Sequence, residues 1–146
     1  MTPERARLVR ESWEQLAPVV PRVAATFYQR LFELEPAARM LFRSVDHASQ
    51  VEKLTASLST IVAALDTPET LIPELSRLGR RHQEYGVTDR NYEVLGAALL
   101  GTLRTTLGSG WTPELQEAWV EAYTLISSVM KRAGQRASGA TAVVAG

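Results

Sequence analysis

The tripeptide Thr-Pro-Glu occurs three times in this chain, at Thr2-Pro3-Glu4, Thr67-Pro68-Glu69 and Thr112-Pro113-Glu114. Each has the chemistry of a helix start. The Thr hydroxyl caps an orphan amide, Pro suits the first helical position, and Glu complements the positive end of the dipole. Pro18 and Pro21 interrupt the pattern at a first corner, Pro36 at a second, and Gly108-Ser109-Gly110 breaks it before the third start. Between these marks the apolar residues step by three and four. Val20, Val23, Phe27, Leu31 and Leu34 do so, then Leu54, Leu58, Ile61 and Leu65, and Leu71, Leu75 and Leu78. Leu95, Leu99, Leu103 and Leu107 follow, and finally Leu115, Trp119, Ala122, Ile126 and Met130. No window alternates as a strand would, and the uneven spacing of the three starts excludes a repeat array. The predicted class is all-α, with six to eight unequal helices.

Composition narrows what such a domain can do. The 146 residues suit one domain, and sixteen basic residues balance sixteen acidic ones. Residues 1–66 carry eight of each sign, so no basic half offers a footprint for nucleic acid or an anionic membrane. The absence of cysteine excludes a disulfide scaffold, a thiolate nucleophile, a zinc–thiolate site and an iron–sulfur cluster. No apolar run is long enough to span a membrane, and Met1 to Trp13 lacks the apolar core of a signal peptide. The expectation is a cytoplasmic protein.

Few side chains remain for chemistry. The acidic residues form no pair at a useful spacing, and no serine elbow, phosphate-binding glycine loop or dinucleotide fingerprint occurs. There are two histidines. His47 sits in the polar stretch Asp46-His47-Ala48-Ser49, a loop or helix start, and is taken to lie nearly opposite Gln50 on the helix. His82 follows Leu75 and Leu78 on an apolar face near a helix end. It is either a helix-terminal residue favoured by the dipole or a metal ligand. A lone histidine cannot build a zinc site, but haem iron needs only one. Tyr28 beside Phe27 reads as a core aromatic with its hydroxyl at the edge. Gln50 extends the Leu54 stripe by one turn, and Tyr92 opens the Leu95 stripe. Taken singly, none of these is specific.

Taken in order, they are. Phe27-Tyr28, then Leu41-Phe42, Gln50-Val51-Glu52-Lys53-Leu54, the run Leu78 to Val87, Asn91 to Gly96 and Ala118 to Tyr123 succeed one another along the chain. From residue 4 to about 132 this order resembles the bacterial single-domain haemoglobins and the globin domain of flavohaemoglobins. The resemblance implies a globin fold around haem b (iron protoporphyrin IX) over residues 1–133, leaving 134–146 as a disordered tail.

It also implies roles. His82 matches the proximal iron ligand, Phe42 the ring packed on the porphyrin, Tyr28 and Gln50 the polar pair above the iron, and Leu54 the apolar residue beside the ligand. Tyr92 matches a proximal tyrosine, Val87 joins the cofactor contacts, and Arg80 and Arg81 stand where a base meets a haem propionate. The implied ligands are oxygen, nitric oxide and carbon monoxide. Donors from Tyr28 and Gln50 imply tight oxygen retention and conversion of nitric oxide to nitrate, for which they are the catalytic candidates. One departure stands out. Where flavohaemoglobins carry a glutamate behind the proximal histidine, this chain has Gly134, so the acceptor for His82 is expected to be a backbone carbonyl. No flavin or nicotinamide domain is seen, so turnover is expected to need a separate reductase. The alternative from another class is a haem-free, globin-like sensor or interaction domain. Gas-free ferrous protein is expected to be five-coordinate, with His47 turned away.

Overall fold

The computed structural model describes the backbone of residues 1–145 and the side chains of residues 1–137. Six α-helices follow one another: α1 (Pro3–Leu16), α2 (Val20–Leu34), α3 (His47–Ala63), α4 (Pro68–Glu84), α5 (Asp89–Leu107) and α6 (Pro113–Ala145). Short 3-10 segments at Ala17–Val19, Pro36–Phe42 and Gly108–Gly110 fall where the prolines and glycines predict corners. Among the described residues there is no strand, and no helix is long and apolar enough to cross a membrane.

All three Thr-Pro-Glu sequences open helices. The hydroxyl of Thr2 accepts from the Arg5 amide at 3.2 Å, and that of Thr112 from the Leu115 amide at 3.1 Å. Thr67 caps differently. Its backbone carbonyl takes the amides of Thr70 and Leu71, and its side chain takes none. Two further caps come from Asp46, which accepts from the Ser49 amide, and from the reciprocal pair Thr88 and Asn91.

The apolar stripes converge on one core. Leu16, Leu71, Leu75, Leu103 and Trp119 are almost wholly buried. Each such side chain contributes about 1.5–3 kcal/mol by leaving water. Two indoles satisfy their N–H groups across helix boundaries. Trp119 donates to the Ser12 hydroxyl at 2.9 Å, and Trp13 to Ser59 at 3.1 Å.

The pairing of helices matters most for function. α4 packs chiefly on α6, α2 on α5, and α3 on α2 and α1. The α4–α6 crossing is close because both sides lack side chains. A Cβ on Gly79 would overlap the Met130 carbonyl, and one on Gly134 would stand 3.0 Å from the Gly79 carbonyl. By contrast α3 and α4, consecutive in the chain, meet only slightly. The apolar residues Val51, Leu54 and Leu58 of α3 and Leu78 of α4 are left only half-buried.

The segment from Gly134, expected as a tail, begins within helix α6. Helix α6 continues through Ala145, and Gly134 is buried against Gly79 and Gln83 of α4. The missing side chain that weakens the sequence pattern is what permits this contact. The part of the expected tail from residue 138 onward lies outside the residues described with side chains.

Candidate functional site

The candidate residues fall into two groups, one around Tyr28 of α2 and one around His82 of α4. The first is built around Tyr28. Its position on the apolar face of α2 buries the ring to 3% exposure. Phe42 from the corner after α2 meets it edge-on at 5.4 Å between centroids, and Phe32 one turn along α2 stacks at 6.1 Å. A cavity of about 190 Å³ lies against this cluster, lined by Tyr28, Phe32, Arg39, Phe42, Val45, His47 and Gln50. Burial pushes the Tyr28 phenol above its ordinary value, and hydrogen bonding from Gln50 draws it back part of the way. The phenol therefore keeps its proton at neutral pH and remains a donor.

His47 belongs to this group, contrary to the sequence reading. It is the first residue of α3, and its ring stands 5.6 Å from that of Tyr28. Three residues turn a helix by about 300°, which leaves His47 and Gln50 about 60° apart and on one face. Phe32, Arg39 and Val45 were also missed. The spacing from Tyr28 to Phe32 is a helical i to i+4 pair, which was legible. The corner from Pro36 to Asp46 carries no periodicity that would have placed Arg39 or Val45.

The second group surrounds His82 near the end of α4. Its Nδ1 lies 2.7 Å from the carbonyl oxygen of Leu78. A carbonyl only accepts, so Nδ1 carries the hydrogen and Nε2 keeps a free lone pair. The backbone acceptor expected from the Gly134 departure is present. Burial lowers the His82 pKa, and the charge of Arg81 acts in the same direction against the Leu78 bond. The neutral imidazole a metal requires is therefore the favoured form. Tyr92 of α5 stacks beside His82 at 6.3 Å, and burial pushes its phenol up to about 12. Tyr123 of α6 donates its hydroxyl to the Tyr92 carbonyl, while its ring fills the space left by Gly96. The Lys131 ammonium sits 5.8 Å over the Tyr92 ring.

The remaining candidates fall around these groups. Leu54 and Val87 are half-buried and packed against the core, outside the cavity around Tyr28. Gly86, at φ 84°, lets the chain leave α4, and the next amide, of Val87, donates to the His82 carbonyl at 3.1 Å. Arg80 and Arg81 are exposed, and Arg81 reaches the Tyr85 hydroxyl at 3.4 Å. No cluster of His, Asp or Glu suited to a metal ion occurs among the described residues.

The donor set fits an iron porphyrin. It offers one neutral imidazole with Nε2 free, half-buried apolar residues on α3 and α4, and a largely apolar cavity that also presents the Tyr28 phenol and the Gln50 amide. Comparison with known proteins points the same way. The family described as Globin matches residues 25–130. Neuroglobin-1 of Oncorhynchus mykiss is 33% identical over 145 residues, covering 90% of this chain and 91% of its own. Neuroglobin of Danio rerio is 33% identical over 138 residues, with 86% and 87% covered. An anaerobic nitrite reductase of Solanum lycopersicum is 30% identical over 146 residues, with 89% and 92% covered. These relatives come from animals and plants, whereas the motifs alone suggested a bacterial group.

Proposed function

The chain belongs to the globin family, whose members carry haem b and bind gaseous ligands such as oxygen, and on that footing we propose that Tyr28 and Gln50 make it a tight oxygen-retaining member. The observation that carries this reading is the buried Tyr28 phenol, held protonated, with the Gln50 side chain beside it on one cavity. When bound, haem supplies an iron position at which a diatomic gas is held. The protein does the rest. His82 offers Nε2 to the iron, and its bond to Leu78 fixes the ring and its tautomer. Phe42, Leu54 and Val87 would exclude water from the porphyrin, and Tyr92 would support the His82 side. Arg80 and Arg81 are the bases available to the haem carboxylates.

Donors aimed into a dry pocket, as Tyr28 and Gln50 would be, would stabilise negative charge developed by a gas held there. A hydrogen bond to a charged group contributes about 1.5–3 kcal/mol, so each donor slows oxygen loss by roughly ten- to a hundredfold. Long retention allows nitric oxide to meet held oxygen. The product is nitrate, made from one nitric oxide, one dioxygen and one electron, and a separate reductase restores that electron. The haem-free alternative is set aside, because the family and its neuroglobin members bind haem b.

The test is oxygen and nitric oxide kinetics on the ferrous, haem-loaded protein. Slow oxygen release followed by stoichiometric nitrate on adding nitric oxide is the expected result. Fast release, or nitric oxide that displaces oxygen without forming nitrate, would refute the reading.

A further inference from the structure

The side of His82 that meets α5 is held by a chain of contacts ending on α6. Tyr92 stacks on the imidazole, 6.3 Å away and 25° apart in plane. The Tyr92 hydroxyl makes no hydrogen bond among the described residues, so its ring is aimed from the backbone end. Tyr123 holds that end. Its hydroxyl donates to the Tyr92 carbonyl. Burial pushes the Tyr123 phenol up, the charge of Tyr92 adds to the rise, and hydrogen bonding from the Gly96 amide draws it back in part. One hydroxyl thus touches two peptide groups of α5, at Tyr92 and Gly96, one helical turn apart. Only glycine admits this approach, because a Cβ at Gly96 would overlap the Tyr123 ring.

His82 spends its Nδ1 hydrogen on the Leu78 carbonyl. One hydrogen bond fixes where Nδ1 lies and leaves the plane of the ring free to rock, so a second contact has to fix the plane. We propose that Tyr123, seated on Gly96, is a positioning residue. By holding the Tyr92 backbone it sets the Tyr92 ring, and through that ring the plane in which His82 meets the haem iron. Groups that orient a ligand in this way alter its bond to the metal. The inference rests on the reading of His82 as the ligand to iron and is independent of the oxygen chemistry at Tyr28.

The test uses haem-loaded protein and two opposite changes. Tyr123→Phe removes the hydroxyl and keeps the ring, whereas Gly96→Ala displaces the ring and keeps the hydroxyl. Resonance Raman scattering from the ferrous, gas-free protein reads the iron–histidine stretching band. Electron paramagnetic resonance of the ferric imidazole complex reads the angle between the two imidazole planes. Both variants are expected to shift both signals. Tyr123→Phe should also speed haem transfer to an acceptor apoglobin by up to about fivefold, the effect of one neutral hydrogen bond. Ser12→Ala controls for stability, since it removes the acceptor of the Trp119 indole between α1 and α6. It should lower the urea midpoint and leave both signals in place. In a Tyr92→Leu background, Tyr123→Phe should produce no further shift. Lower stability of Tyr123→Phe with wild-type signals would make Tyr123 a packing residue and overturn the proposal. A full shift in the Tyr92→Leu background would overturn it too. Should Gly96→Ala not fold, Tyr123→Phe decides alone. A wild-type protein that gives no Soret band with haem, or a band that survives His82→Ala, would instead remove the reading of His82 beneath it.

Discussion

The rings of His82 and Tyr92 lie nearly parallel, 25° apart in plane and 6.3 Å between centroids. With the Leu78 carbonyl holding Nδ1, the imidazole is fixed at one nitrogen and along one side of the ring. Only Nε2 is left for a ligand, and the orientation is set before any cofactor arrives.

His82 is therefore expected to be the sole protein ligand to iron. His82→Ala should lose most haem under conditions where His47→Ala retains it, read as the ratio of Soret to protein absorbance. Adding imidazole to His82→Gly should restore the band. Equal loss in the two alanine variants would show that the assignment is wrong.

Tyr28→Phe keeps the ring and its packing and removes only the hydroxyl. Oxygen dissociation should accelerate at least tenfold, from a lost bond of about 1.5–3 kcal/mol. Carbon monoxide gains little charge when held, so its dissociation should change far less. Gln50→Leu should act in the same direction more weakly, and the two changes should couple because both donors line one cavity. Stopped-flow displacement measures all of these. An equal effect on both gases would mean that the phenol only packs.

The close crossing of α4 and α6 predicts an asymmetry between two glycines. Gly79→Ala places a methyl group inside the Met130 backbone, and overpacking of this kind costs about 1–3 kcal/mol. Gly134→Ala meets a carbonyl at 3.0 Å and the Gln83 side chain at 3.1 Å, and Gln83 can swing aside. Its cost should be smaller, partly offset by a gain in helix propensity of up to about 1 kcal/mol. Urea midpoints of the two variants compare them directly.

Tyr92 gives the alkaline limit of stability. Its pKa is raised from 10.0 to about 12, so the unfolded chain releases this proton first. The stability it contributes is whole below pH 10 and declines as the pH rises through the window from 10 to about 12. Buried Tyr28 and Tyr123 shift in the same direction. Thermal midpoints should fall across this window, and less steeply in Tyr92→Phe.

What the sequence disclosed, and what it hid, follows from locality. Pro3, Pro68 and Pro113 mark helix starts through the chemistry of one or two neighbouring peptides, and those starts are where the structure has them. The backbone acceptor for His82 was also legible, because Gly134 cannot offer a side chain and the carbonyl one turn back always can. Arg39 was not legible. Its place at the cavity depends on a cation–ring contact with Phe32, seven residues away across a corner without periodicity. His47 could have been read from its three-residue spacing to Gln50. Gly134 itself resembles a frayed end until Gly79 is seen against it, and a close approach of two backbones leaves no mark in either segment alone.

The backbone contact between Gly79, Met130 and Gly134 also bears on the order in which the molecule is assembled. It joins α4 to α6 without any help from a cofactor, so the half of the site that carries His82 can form during folding and wait. The stripe of Val51, Leu54 and Leu58 on α3 has no such partner on α4 and stays half-covered until something flat and apolar arrives. Haem is then the missing piece of core for one wall and a guest for the other. Segments that lack internal cover open first in the native state. In the empty protein α3 should therefore exchange its amide hydrogens soonest, and the entry route for haem would run beneath it.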